Sequence, residues 1–435
     1  MQRQFLIGHL GSFKKNPVAF LAEAALGGEI VPLYLPKLVY LLNSEHAIRH
    51  VLVDNHANYR KGTVSRRLKV FLGEGLLTTE GNYWKYQRRF IQPLFVGARL
   101  DDLLGIICKT IHDFLPRLEQ QGLNGGIEIT SELTRLTTSI IGKIVLGVDL
   151  MREADHIGQT IAEGLELAQK REFSLLSLPL WVPTATNRQS VRIRNAVSAL
   201  ILREIESHKH SSDSKNDILS HLMDARDEDG RAMTVEQLRD QSMTLLLAGH
   251  VTTATSLSWL FYLLGKHQEH QEYIAEEVAS VLGDAMPGLA EIDKLKYTRA
   301  CVEEGLRLYP PSWLLHREAI NADVVSGVKL VPGMNVLISP YLIHRNPNYW
   351  DNVEGFEPNR FATRMDDHKF AYIPFGAGPR YCVGAKLADV EAVTIVASIM
   401  RKYRITLMDR DVPLIPKASV TLRPSRPIHV SIQKR

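Results

Sequence analysis

Apolar residues recur at three- and four-residue spacing from about Gly81 to Leu282, which predicts an almost wholly helical stretch and a bundle-like core. Ahead of it, Glu29 to Leu35 and Leu38 to Leu42 read as strands and Glu45 to Val53 as a helix, so a small sheet is expected near the N-terminus. Later, Val324 to Leu330 and Met334 to Ser339 flank Pro332-Gly333 and read as a hairpin. Ser419 to Ile432 reads as strands broken by Pro424 and Pro427. The longest helix opens at Thr234, with Gln237 completing a capping-box pattern, and runs to about Lys266. The expected fold is mainly α with a minor β part, in one domain spanning residues 1–435.

Two segments break the periodicity. His208 to Asp217 is polar and reads as an exposed loop, whereas Phe173 to Pro183 is apolar with two prolines. The latter is either a packed loop or a lid over a ligand channel.

Composition narrows the class. With 435 residues, 45% hydrophobic and 23% charged, the chain can bury a large core. A net charge of +4, from 52 basic and 48 acidic residues, gives no reason to expect nucleic acid. Positive charge does gather early, at Arg60, Lys61, Arg66, Arg67, Lys69, Lys85, Arg88 and Arg89. Such a run is a solvated face or a docking surface for an acidic redox partner. Three scattered cysteines suit neither a disulfide framework nor a zinc site and point to a reducing compartment. The early segment Phe20 to Leu26 carries Glu23, so no signal peptide or membrane anchor is expected and the localisation read is cytoplasmic.

The densest chemistry lies at Phe375 to Gly384, FGAGPRYCVG. Gly376, Gly378 and Pro379 permit a tight loop, and the apolar spacing after Cys382 predicts a helix. A sulfur at a helix N-terminus is biased toward thiolate, the form that ligates metal. A lone cysteine is otherwise most often a small buried apolar residue. Elsewhere, Glu304 and Arg307 share a helix face ahead of Pro310-Pro311, and Trp84 and Arg88 share another. The long helix carries AGHVTT at Ala248 to Thr253, two β-branched threonines and a glycine in mid-helix.

These motifs resemble the cytochrome P450 family. The loop matches F-x-x-G-x-R-x-C-x-G at Phe375, Gly378, Arg380, Cys382 and Gly384, and Glu304 with Arg307 matches E-x-x-R. FEPNRF, Phe356 to Phe361, is similar to the family segment that supplies a further arginine, here Arg360. The resemblance implies a triangular helical bundle around a buried haem b, with small N-terminal and C-terminal sheets. It implies Cys382 as iron ligand, with Phe375 and Gly384 shaping the haem loop. Trp84, Arg88, Arg317 and Arg380 are implied at the haem propionates, and Glu304, Arg307 and Arg360 as a buried structural network. AGHVTT resembles the oxygen-binding motif, which would put Thr252 beside bound oxygen with Thr253 adjoining.

The family commonly has an acid where this chain has Val251, and no acid occurs from Leu245 to Lys266. His250, or ordered water through Thr252 and Thr253, would then have to carry protons. Leu246, Ala248, Trp313, Leu314, Leu315 and Val420 are the expected substrate contacts, for a lipophilic ligand such as a terpenoid, fatty acyl chain or polyketide. The implied activity is monooxygenation in secondary metabolism by a monomer, with electrons from a separate ferredoxin or flavodoxin and its reductase. The alternatives are a haem-thiolate enzyme that uses peroxide, radical coupling or rearrangement, and a non-catalytic haem sensor.

Overall fold

Thr234 closes the N-terminus of the longest helix as its sequence predicts. Its Oγ1 accepts from the Gln237 N–H at 3.3 Å, and the Gln237 side chain accepts from the Thr234 N–H at 2.8 Å. The helix then runs Val235–Lys266. This computed structural model describes residues 8–35, 37–122, 125–154, 184–210, 216–283, 285–362 and 366–435, with single positions 157, 160, 163, 164, 167 and 182. Most of the segment Phe173 to Pro183 lies outside the described residues.

The chain forms two compact units. The first comprises residues 1–64, 303–382 and 414–425. Its five-stranded sheet has the order Ile30–Leu35, Lys37–Leu42, Asn335–Ile338, Leu315–Ala319, Tyr59–Arg60. Val39 pairs in parallel with Asn335, and Leu315 antiparallel with Ile338. Beneath the sheet, Leu42, Ile48, Leu52, Val336 and Ile338 form a buried cluster.

The second unit comprises residues 65–302, 383–413 and 426–435. It is mainly helical, with a three-stranded sheet of Ile127–Glu128, His429–Lys434 and Tyr403–Leu407. Helix Ile129–Leu146 packs along helix Val235–Lys266. Gly249 permits the close approach, since a Cβ there would run into the Ile141 side chain. Among the described residues, no helix is long and apolar enough to cross a membrane.

Three elements differ from what the sequence predicts. The hairpin is Asp323–Val325 with Val328–Leu330, turning at Ser326 (φ 43°) and Gly327 (φ 82°). Pro332-Gly333 instead turns the chain away, and Asn335–Ile338 enters the large sheet. The helix expected over Glu45 to Val53 is α-helical only to Arg49 and continues as a π-turn, closed by Asn55 N–H donating to the His50 carbonyl at 2.8 Å. The polar segment His208 to Asp217 is not all loop. His208 lies in the last turn of helix Ala185–His210 and its Nε2 meets Asp217 at 2.9 Å, both side chains buried, while Asp217 caps helix Ile218–Asp224; residues 211–215 lie outside the described set.

Candidate active site

The cysteine loop belongs to the first unit and is fixed by its backbone. Gly376 (φ 74°) and Gly378 (φ 68°) adopt conformations that side chains disfavour. A Cβ on Gly378 would collide with the Leu52 carbonyl oxygen of the π-turn, so only glycine lets the loop close against that turn. The Cys382 N–H donates to the Phe375 carbonyl at 3.0 Å and Tyr381 N–H to Gly378 at 2.9 Å. Helix Ala385–Lys402 begins at Gly384, so Cys382 precedes its N-cap by two residues and does not itself open the helix. Cys382 is exposed, whereas Cys108 and Cys301 are buried. Burial pushes the Cys108 thiol up to about 11, which keeps it protonated.

Behind the loop, in the same unit, Glu304 and Arg307 are fully buried. Arg307 uses all its donors. Its Nε and Nη2 reach the Glu304 carboxylate at 2.7 and 2.9 Å, and its remaining N–H groups reach the carbonyls of His344, Val353 and Gly355 at 2.8–2.9 Å. Glu304 also accepts from the Glu357 N–H at 2.9 Å and Arg360 Nε at 3.2 Å. His344 locks one end, its Nδ1 on the Arg307 carbonyl (3.1 Å) and its Nε2 accepting the Ile373 N–H (2.9 Å), so the proton sits on Nδ1.

The predicted anion-binding side chains are distributed over both units. Arg380 sits on the turn before Cys382, and Arg317, in strand Leu315–Ala319, donates to the His316 carbonyl at 2.9 Å. In the second unit, Arg88 lies 5.6 Å over the Trp84 ring on helix Gly81–Ile91 and donates to Gln92 at 3.0 Å. Three of the eight early basic residues are ion-paired: Arg60 with Glu318, Lys69 with Glu74 and Arg89 with Glu228.

Helix Val235–Lys266 divides the remaining candidates by face. Ala248 is exposed, with Val251 and Thr252 partly so beside it. Thr252 Oγ1 donates to the Ala248 carbonyl at 2.6 Å, the back-bonded geometry of a helical threonine. Its hydrogen being committed, the hydroxyl offers lone pairs outward. Thr253 is buried.

At 3.6 residues per turn, Leu246 and His250 lie roughly half a turn from Ala248. Both are buried. His250 Nδ1 has no partner among the described residues, and burial pulls the imidazole down to about 4. Buried on the opposite face, His250 is not brought to the Thr252 hydroxyl, contrary to the expectation that it carries protons there. Leu246 likewise does not share the Ala248 face.

The substrate candidates of the first unit converge better. Trp313 Nε1 donates to the Ser419 carbonyl at 2.8 Å and Leu422 N–H to the Pro311 carbonyl at 3.0 Å, so Val420, at the tip of the hairpin Pro416–Ala418/Leu422–Pro424, is tied to the Trp313 segment. Leu314 and Leu315 adjoin it, partly exposed.

Two features escape the motif reading. Loop Gly73–Thr79 is clasped to the long helix: Glu74 N–H donates to Asp240 at 2.6 Å, Leu76 N–H to Gln241 at 3.1 Å, and Gln87 bridges Thr79 and the Glu74 carbonyl. Its sequence signal is the GEGLLTT run itself. The second is Glu391, a carboxyl inside the apolar stripe of helix Ala385–Lys402. Its Oε1 has no partner among the described residues, and burial pushes it up to about 8 from 4.5.

A raised carboxyl binds its proton more tightly folded than unfolded. The stability that this group contributes is therefore greatest below the ordinary carboxylate range and is lost between these two values, by up to about 1.4 kcal/mol per pH unit. Glu391→Gln is expected to flatten that slope in urea titrations at pH 5 and pH 8; parallel slopes in the two proteins would contradict it.

The residues fit a haem. An exposed thiol on a backbone-fixed loop suits iron, and the guanidinium groups of Arg317, Arg380 and Arg88 suit carboxylates. Gly384 has no heavy atom within 4 Å of a Cβ position, so the backbone two residues beyond the thiol is open on that side.

Comparison with known proteins agrees. The family model described as Cytochrome P450 matches residues 2–432. The chain is 31% identical to cyclooctatin synthase of Streptomyces melanosporofaciens over 97% of this chain and 93% of that one. It is 29% identical to cyclooctat-9-en-7-ol 5-monooxygenase of the same organism, over 92% and 87%. It is 28% identical to the chloroplastic protein LUTEIN DEFICIENT 5 of Arabidopsis thaliana, over 92% and 71%. With a thiol loop, a buried E-x-x-R network and a family match across nearly its whole length, the chain belongs to the cytochrome P450 family and is a haem-dependent monooxygenase.

Proposed function

We propose that this enzyme inserts one oxygen atom from dioxygen into a C–H bond of a terpenoid, with Cys382 as thiolate ligand of a haem b and electrons from a ferredoxin or flavodoxin. The observation that carries it is the cysteine loop: an exposed thiol held in place by backbone bonds and by the contact of Gly378 with Leu52. When bound, a thiolate-ligated haem supplies the electron push that favours O–O cleavage. The protein's own residues do the rest. Arg317, Arg380, Trp84 and Arg88 would hold the propionates of a bound haem, and Glu304, Arg307 and Arg360 would keep the thiol loop's support rigid.

The terpenoid class is supported by the names of the two Streptomyces relatives and by the apolar Trp313, Leu314, Leu315 and Val420 set. Ala248 and Thr252 would face the ligand, with Thr252 Oγ1 as an acceptor that orders a water. The test is product analysis with cyclic diterpene hydrocarbons and alcohols, given oxygen, reductant and a bacterial ferredoxin system. Conversion of fatty acids but no terpenoid would replace the substrate class.

Val251 favours a second reading, in which peroxide serves in place of oxygen and reductant. Val251→Glu would place a carboxyl one residue from Thr252, and the oxygen-dependent rate is expected to rise severalfold. An unchanged rate, measured beside peroxide-driven turnover, would mean that water through Thr252 already suffices.

A further inference from the structure

We propose that His267, Glu269 and His270 form a surface site for a divalent transition-metal ion of the zinc type, which staples the C-terminus of helix Val235–Lys266 to the start of helix Glu269–Leu282. One nitrogen of each imidazole and one carboxylate oxygen lie within 4.8 Å of one another. Glu269 Oε1 stands 3.7 Å from His267 Nδ1 and 3.9 Å from His270 Nε2. Tetrahedral zinc, with bonds of about 2.0–2.2 Å, separates its ligands by roughly 3.3–3.5 Å. The two histidine–glutamate edges exceed this by a few tenths of an ångström and the histidine–histidine edge by at most about 1.5 Å, movements that partly exposed side chains can make, leaving the fourth position to water.

The surroundings hold this geometry ready. His270 Nδ1 meets the Tyr297 hydroxyl at 2.6 Å, the outer hydrogen bond that fixes a ligating imidazole with Nε2 turned outward. The corner itself is rigid. Fully buried Gln271 donates to the Leu264 and Ile405 carbonyls and accepts from the Ile405 N–H, each at 2.8 Å. The site sits at the C-terminal end of a 32-residue helix, where the dipole favours cations. Lys266 and Arg410 are the nearby positive charges that oppose a metal, and Arg410 is engaged with the Lys266 carbonyl at 3.2 Å.

The test is calorimetric titration of the haem-loaded protein with Zn2+, followed by thermal unfolding with and without the ion. One equivalent is expected to bind with micromolar or tighter affinity and to raise the melting temperature. His270→Ala should abolish uptake, Glu269→Gln should weaken it, and Tyr297→Phe should weaken it about tenfold. Glu269 is largely exposed, so its variant folds whatever its effect on the metal. Absence of saturable uptake by the wild-type protein, or uptake unchanged in His270→Ala and Glu269→Gln, overturns the proposal.

Discussion

Replacing Cys382 with alanine is expected to abolish the strongly red-shifted carbonyl absorption of the reduced protein, and with it all turnover, while the chain stays folded. The loop's shape does not depend on the sulfur. The Cys382 N–H bond to Phe375 and the approach of Gly378 to Leu52 both survive truncation of an exposed side chain. The variant thus separates ligation from folding. Reduced carbonyl spectra and a circular-dichroism melt on the same preparation are the measurements, and persistence of the red-shifted band would overturn the ligand assignment.

Arg307→Ala should do the reverse, removing stability before chemistry. The substitution leaves a buried Glu304 carboxylate without its bidentate partner and three carbonyls without donors, at a cost of about 3–5 kcal/mol. Domains are stable by only about 5–15 kcal/mol, so the loss should show as low yield and a much lower urea midpoint. Arg307→Lys should not rescue it, because an ammonium has fewer donors than a guanidinium and cannot serve two carboxylate oxygens and three carbonyls at once. A loss below about 1 kcal/mol, the scale of an exposed ion pair, would show that burial confers nothing on the network.

What the sequence revealed was local. The capping box at Thr234 and the spacing of Glu304 and Arg307 each lie within one helical turn, and the cysteine loop within ten residues, where residue type alone restricts geometry. The partners of Arg307 at His344, Val353 and Gly355 were not legible, because backbone carbonyls carry no residue identity. Sheet register failed for a related reason. Asn335–Ile338 pairs with a strand some 300 residues earlier, and a nearby Pro-Gly looked like the closer explanation. The placement of His250 is different, since helical geometry from Ala248 already sets it on the far face; what the sequence lacked was which face is buried. The Gly73–Thr79 clasp depends on Asp240 and Gln241, more than 160 residues away along the chain.

The bond from the Trp313 indole to the Ser419 carbonyl bears on how readily this enzyme could change its selectivity. The atom that locates the hairpin tip belongs to the main chain and is present whatever side chains surround it. Val420 can therefore be exchanged for smaller or larger residues while the tip stays anchored, so, if Val420 meets substrate as proposed, a mutant library at this position would reshape the ligand's surroundings without shifting their frame. Varying Trp313 instead would move the frame itself.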